Sequence, residues 1–158
     1  MTRRPTIYSI DTSALLHGWR RYYRPKNFGF IWKRMDALIE CGRLRASIEV
    51  YHEIKKKDDE IYEWVKERAE LFFVDIDDAC QIEVARIMER HPRLVDTVKG
   101  RSGADPFVIA LAATARPNMT VITEEQPGKH RIPDVCLIEQ IPCIGLADFI
   151  EREDWRLD

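Results

Sequence analysis

The chain has 158 residues, of which 45% are hydrophobic and 33% charged, with a formal net charge of −2. That length suits a single domain, 1–158, whose core needs neither disulfides nor a structural metal. The near-neutral charge speaks against indiscriminate nucleic-acid binding. No apolar run approaches the ~20 residues of a membrane span. The basic start M-T-R-R-P-T leads into an apolar stretch broken at Asp11, unlike a signal peptide. A cytoplasmic protein that does not engage membranes is expected.

In chain order, T-I-Y-S-I (6–10) reads as a short buried strand ending at Asp11. Residues 17–27, with Gly18, Pro25 and Asn27, read as a loop. Ile31, Trp32, Met35, Leu38 and Ile39 recur at helical spacing, and Gly42 supplies a stop. L-R-A-S-I (44–48) is a second strand running into a helix that carries Glu53. Ile61, Trp64, Val65 and Phe72 mark a further helical face. F-F-V-D-I (72–76) is a short strand or a connection, after which Asp77 or Asp78 caps a helix that stops near Pro92.

The clearest helix runs from Pro106 to Ala115. Pro106 suits its first position, Asp105 is expected as its N-cap, and Arg116-Pro117 ends it. T-V-I-T (120–123) is a strand followed by the polar loop E-E-Q-P-G-K-H-R. Pro133 opens a short helix, P-C-I-G (142–145) is the last strand, and L-A-D-F-I-E-R closes helically. Strands separated by helices point to an α/β/α sandwich around a mostly parallel sheet, which binds ligands beyond the carboxyl ends of its strands.

Acids gather at those strand ends: Asp11 after the first strand, Glu53 a helical turn past the second, Asp105 before its helix, and Glu124 and Glu125 after T-V-I-T. Carboxylates brought together in a cleft repel one another, and a hard, oxygen-seeking cation such as Mg²⁺ resolves the conflict while activating a nucleophile and bridging phosphate oxygens. Each acid also has a plain structural role open to it. Asp11 can satisfy the turn before Thr12 and Ser13, Glu53 can pair with Lys57, Asp105 can cap its helix, and Glu124 and Glu125 can face water. Glu49 and Asp134 fit best as first-turn helix acids. The hydroxyls of Thr12, Ser13 and Thr123 adjoin these acids, to orient water or phosphate or to satisfy turns.

S-I-D-T-S-A-L-L, S-I-E-V-Y-H-E-I, G-A-D-P-F-V-I-A-L-A and V-I-T-E-E resemble, in order and spacing, the four blocks of the PIN domain across residues 6–150. The resemblance implies an α/β/α sandwich whose clustered acids bind Mg²⁺ or Mn²⁺ to hydrolyse RNA phosphodiesters. By position it makes Asp11, Glu53 and Asp105 the first three catalytic and metal-binding acids. The fourth block departs from the family's T-x-Asp or T-x-Asn form. The matching position is Glu125, with Glu124 the next candidate. V-I-T-E-E with I-P-D-V-C also looks like a poorly characterised PIN-like subfamily. Small stand-alone PIN proteins are often toxins of toxin–antitoxin pairs, which implies a small antitoxin partner and possible homodimerisation. The expectation is a Mg/Mn-dependent endoribonuclease of the toxin type. A non-catalytic PIN-like module that binds RNA or protein is the alternative, and a metal-dependent phosphatase or DNA nuclease a weaker one.

Residues 1–34 hold eight basic residues (Arg3, Arg4, Arg20, Arg21, Arg24, Lys26, Lys33, Arg34) against the single acid Asp11, whereas the last thirteen hold five acids and two arginines. Within the basic part, Arg20, Arg21, Tyr22, Tyr23 and Arg24 mix cations with aromatics, as single-stranded RNA sites do. The same stretch can instead tuck Trp19 and a tyrosine into the core. His52-Glu53 lacks the second histidine of a zinc protease, because Lys56 stands there. His130, Cys136 and Cys143 lack zinc-ligand spacing. The four cysteines, Cys41 and Cys80 included, are expected as reduced thiols in or near the core.

Overall fold

The computed structural model describes residues 5–95, 103–115 and 118–157. The expected helix end at Arg116-Pro117, like Arg3 and Arg4, lies outside them. Five parallel strands form one sheet: β1 (Ile7–Ile10), β2 (Leu44–Ser47), β3 (Phe73–Val74), β4 (Met119–Ile122) and β5 (Cys143–Ile144), in the order β3-β2-β1-β4-β5. The short strands are enough because both sheet faces are covered. Alternation along β1 sends Tyr8 to one face, where it packs edge-on against Phe149 with ring centroids 4.7 Å apart. Ser9 goes to the other, donating to the carbonyl of Val108 at 3.0 Å. Phe149 belongs to α9 (Leu146–Arg152) and Val108 to α7 (Asp105–Thr114), so helices lie on both faces.

Parallel strands need crossovers, and helices supply them. α1 (Thr12–His17) follows β1 at once, with Asp11 as its N-cap. α2 (Pro25–Glu40) returns the chain to β2, and Gly42, at φ +81, makes the turn between them. Ser47 caps α3 (Ile48–Lys57) by accepting from the Glu49 N–H, so the first-turn reading of Glu49 holds. α4 (Asp59–Glu67) and α5 (Ala69–Phe72) lead to β3, and Asp77 caps α6 (Asp78–Arg90) through the Cys80 N–H at 2.8 Å. α8 (Ile132–Glu139) joins β4 to β5. It is tied to α6 by Glu139, whose side chain is 2% exposed. Arg86 Nη1 donates to it at 2.7 Å, His91 Nε2 lies 2.9 Å from it, and Arg90 Nη1 3.4 Å. Burial would raise the Glu139 pKa, yet the hydrogen bonds from His91 and Arg86 outweigh it and hold the carboxyl below its usual range.

The expectation of a loop over 17–27 is corrected. Gly18–Tyr22 form a π-helical turn continuous with α1, and Pro25 opens α2 rather than breaking a helix. Packing is the reason. Gly18 is buried, and a Cβ there would meet Leu146 Cδ1 at 3.2 Å. Trp19 packs edge-on against Trp32 with centroids 4.9 Å apart, and Trp32 in turn packs against Trp64 at 5.1 Å. All four thiols are free, as expected, and Cys80 and Cys136 are buried with Cys143 half-buried, but Cys41 lies at the surface rather than in or near the core.

Candidate active site

Parallel pairing aligns the carboxyl ends of β1, β2 and β4, and the Asp11 N–H donates to the Ile122 carbonyl where β1 and β4 end. Asp11 is 1% exposed, yet its oxygens are fully used: they accept from the Ala14 N–H at 2.7 Å, from the Ser13 hydroxyl at 2.9 and 2.8 Å, and from the Thr123 hydroxyl. Burial pushes its pKa up to about 7. The bonds from Thr123, Ala14 and Ser13 counter that rise, and Glu125 adds to it.

Asp105 is 4% exposed. It does not cap α7, as its place before Pro106 led us to expect. Ala104 holds the N-cap position, accepting from the Phe107 and Val108 N–H groups, and no side chain caps the helix. Asp105 is the first helical residue, and its carboxyl is hydrogen-bonded to Glu125 instead. Burial, then repulsion from Glu125, Asp11 and Glu53, pushes its pKa up to about 9. Asp105 therefore keeps its proton at neutral pH, turned toward Glu125. Glu53 reaches the same edge from α3, accepting from the Thr12 hydroxyl at 2.6 Å.

The structure thus brings Asp11, Glu53, Asp105 and Glu125 into one electrostatic cluster. It separates Glu124 from Glu125. The Glu124 carboxylate accepts from the Leu146 N–H at 2.7 Å, capping α9, while its own N–H donates to Ser13 Oγ at 3.1 Å. Glu125 donates its N–H to Thr123 Oγ1, and its Oε2 accepts from the Ile132 N–H at 3.0 Å. The bridging hydroxyls Ser13 and Thr123 lie 3.3 Å apart, 110 residues distant in sequence. Asp134 is structural as expected, accepting from the Gly128 and Arg131 N–H groups.

The donor set fits Mg²⁺ or Mn²⁺ in chemistry: buried carboxylate oxygens whose strongest charged neighbours are other acids. In their present hydrogen-bonded arrangement, however, no three such side chains among the described residues converge as a ready-made ligand set.

The arginine–tyrosine segment lies apart from these acids in its bonding. Arg20 Nε pairs with Asp58 at 2.8 Å and its Nη2 donates to the Lys57 carbonyl. Arg24 Nε folds back onto the Arg20 carbonyl. Arg21 and Tyr22 are exposed. Tyr23 packs edge-on against Phe28, its carbonyl accepts from Trp32 Nε1, and its phenol pKa is raised by burial and by Glu124. Trp19 and Tyr23 therefore take the core-directed role that the sequence left open.

A five-stranded parallel sheet with helices on both faces and acids at its carboxyl edge is the PIN-like fold. Solved structures match it across most of the chain. A chain of the DNA-bound VapBC of Salmonella typhimurium matches with a TM-score of 0.57 and 15% identity, covering 89% of this chain and 98% of that one. A chain of VapBC2 of Rickettsia felis, bound to a DNA fragment from its promoter, matches with a TM-score of 0.54 and 12% identity over the same shares. No curated protein matches. The chain belongs to the family described as "Domain of unknown function (DUF4411)", which matches residues 8–157.

Proposed function

We propose that this chain is a single PIN-like unit acting as a metal-dependent endoribonuclease. The observation that carries the reading is the burial of Asp11 and Asp105 in a cluster whose strongest charged members are Glu125, Asp11 and Glu53. A fold tolerates buried acids set against one another where a cation or a reaction uses them. Asp11 and Asp105 would hold Mg²⁺ or Mn²⁺, with Glu53 and Glu125 as further ligands or positioning groups. When bound, the cation supplies Lewis-acid stabilisation of charge on the scissile phosphate. Ser13 and Thr123 fix the orientation of Asp11, and Thr12 fixes that of Glu53. In the hydrolysis, the oxygen of water bonds to phosphorus, the bond to the leaving ester oxygen breaks, and the proton lost by water ends on that oxygen. The proton held by Asp105 must leave before that carboxylate can serve as a ligand.

Likeness to VapBC, a toxin–antitoxin pair whose VapC is a PIN-domain toxin, supports a toxin working in the cytoplasm with a small protein antitoxin and forming homodimers. No described helix is long and apolar enough to cross a membrane. Exposed Arg21 and Tyr22 remain RNA contacts in this reading, with Arg20, Tyr23 and Arg24 shaping the segment that presents them.

The test is cleavage of a mixed RNA pool with Mg²⁺, Mn²⁺ or EDTA. Asp11→Asn, Glu53→Gln and Asp105→Asn should each abolish cleavage in a folded protein. Wild-type rates in all three would overturn the reading. A second reading, a non-catalytic module that binds RNA or protein, draws on the full hydrogen-bonding of Asp11 and would be favoured by RNA binding without cleavage.

A further inference from the structure

An acid cluster repels a polyanion, so a nuclease built on one needs cations beside it to seat the RNA backbone. Arg20, the first cation of the segment that the sequence suggested, is already paired with Asp58, and Arg24 is turned back on the Arg20 carbonyl. The loop from β4 to α8 offers another source. Lys129, His130 and Arg131 are consecutive and exposed, and they begin four residues after Glu125. We propose that Lys129 and Arg131 form a phosphate-binding arm that seats single-stranded RNA across the acid cluster. The proposal rests on the ribonuclease reading.

The geometry holds this arm against the site. At one end, Glu125 donates its N–H to Thr123 Oγ1, the hydroxyl that also bonds Asp11. At the other, the Glu125 carboxylate accepts from the Ile132 N–H, directly after Arg131. One acid of the cluster therefore closes the loop at both its ends. Asp134 tightens the tip by accepting from the Gly128 and Arg131 N–H groups, at 3.1 Å for the closest contact of each. A Cβ on Gly128 would meet Arg131 Nε at 3.4 Å, so the arginine stem lies over this turn. His130 takes a left-handed conformation, φ 60, which histidine adopts more readily than most side chains and which turns the chain back toward Ile132. A cavity of about 230 Å³ lies at the start of the loop, between residues 124–127 and the β5–α9 turn at Ile144 and Gly145.

The bonds that shape the tip come from backbone N–H groups, so truncating the two side chains leaves them in place. The test measures binding of a labelled single-stranded RNA oligonucleotide by anisotropy across a salt series, on the non-cleaving Asp11→Asn background. The Lys129→Ala/Arg131→Ala pair should weaken binding about tenfold or more at low salt, similarly for every sequence, and flatten the log–log salt slope by about 1.4, or 0.7 per contact. In the otherwise wild-type protein the same pair should raise KM and leave kcat at saturation unchanged. The charge-preserving exchange Lys129→Arg/Arg131→Lys should keep affinity and slope. Unchanged affinity and slope in the alanine pair overturn the arm while the ribonuclease reading stands. So does an exchange variant as weak as the alanine pair, because charge would then not be the cause. A protein that neither binds nor cuts RNA at any salt overturns both.

Discussion

Two sets of buried acids in this molecule meet opposite surroundings. Glu139 sits between α6 and α8 with Arg86, Arg90 and His91 against it, and its pKa is held down. Asp11 and Asp105 sit at the carboxyl edge of the sheet with Glu125 and Glu53 as charged neighbours, and their pKa values are pushed up. Burial costs both sets solvation. One recovers it through cations supplied by the chain, the other through hydroxyls, a backbone N–H and protons retained on Asp11 and Asp105. The first arrangement serves the fold. The second is the arrangement that the proposed cation would relieve.

The comparison breaks first on mutation. Glu139→Gln removes the ionised partner of Arg86 and His91, and should cost about 2–3 kcal/mol in a denaturant melt. Asp11→Asn and Asp105→Asn remove repelling acids, so the metal-free protein should be no less stable than wild type. Asp105→Asn in particular gives up no helix cap, since α7 has none from its side chain. A large loss from either asparagine variant would move that residue into the class of Glu139.

The two sets should also differ in the sign of their pH dependence. Asp11 and Asp105 bind protons more tightly folded than unfolded. The stability this confers is complete below about pH 4 and is lost as pH rises through about 7 and about 9. Glu139 works in reverse: its contribution is present above the unfolded value near 4.3 and lost as pH falls through its lowered folded value. The metal-free melting temperature should therefore drop between pH 5 and pH 8, and Asp11→Asn should flatten that drop. Glu139→Gln should leave it in place and weaken the loss of stability on the acid side.

A smaller effect comes from metal. Mg²⁺ or Mn²⁺ at ten times its dissociation constant should stabilise wild type and Glu139→Gln by about 1.4 kcal/mol each. Asp105→Asn should respond only at higher metal concentrations. The smallest effect separates neighbours. Glu124→Gln weakens the α9 cap and should cost about 1 kcal/mol without altering the metal response. Glu125→Gln should weaken the metal response. The opposite outcome would exchange their roles.

Much of this was legible in the sequence, and physical range explains what was not. Local patterns reported local facts: the strand before Asp11, the helix carrying Glu53, the helix after Asp105, and a parallel sheet that aligns their ends. Choices made by distant partners left no local trace. The π-helical turn at Gly18–Tyr22 depends on Trp32, Trp64 and Leu146. Asp105 read as a cap because its neighbour is Pro106, whereas Glu125 decides where its carboxyl goes. That Glu124 is spent on α9 follows from a bond to a residue 22 positions away. Nothing in the sequence around Glu139 announces Arg86, 53 residues earlier.

The central claim is that Asp11 and Asp105 stay partly protonated until a cation displaces the proton. Calorimetric titration of Mn²⁺ at pH 7.5, in two buffers of different ionisation heat, measures that displacement directly. Binding should release roughly one proton per site in wild type and fewer in Asp105→Asn. Binding with no proton release, or no binding at all, would contradict the account.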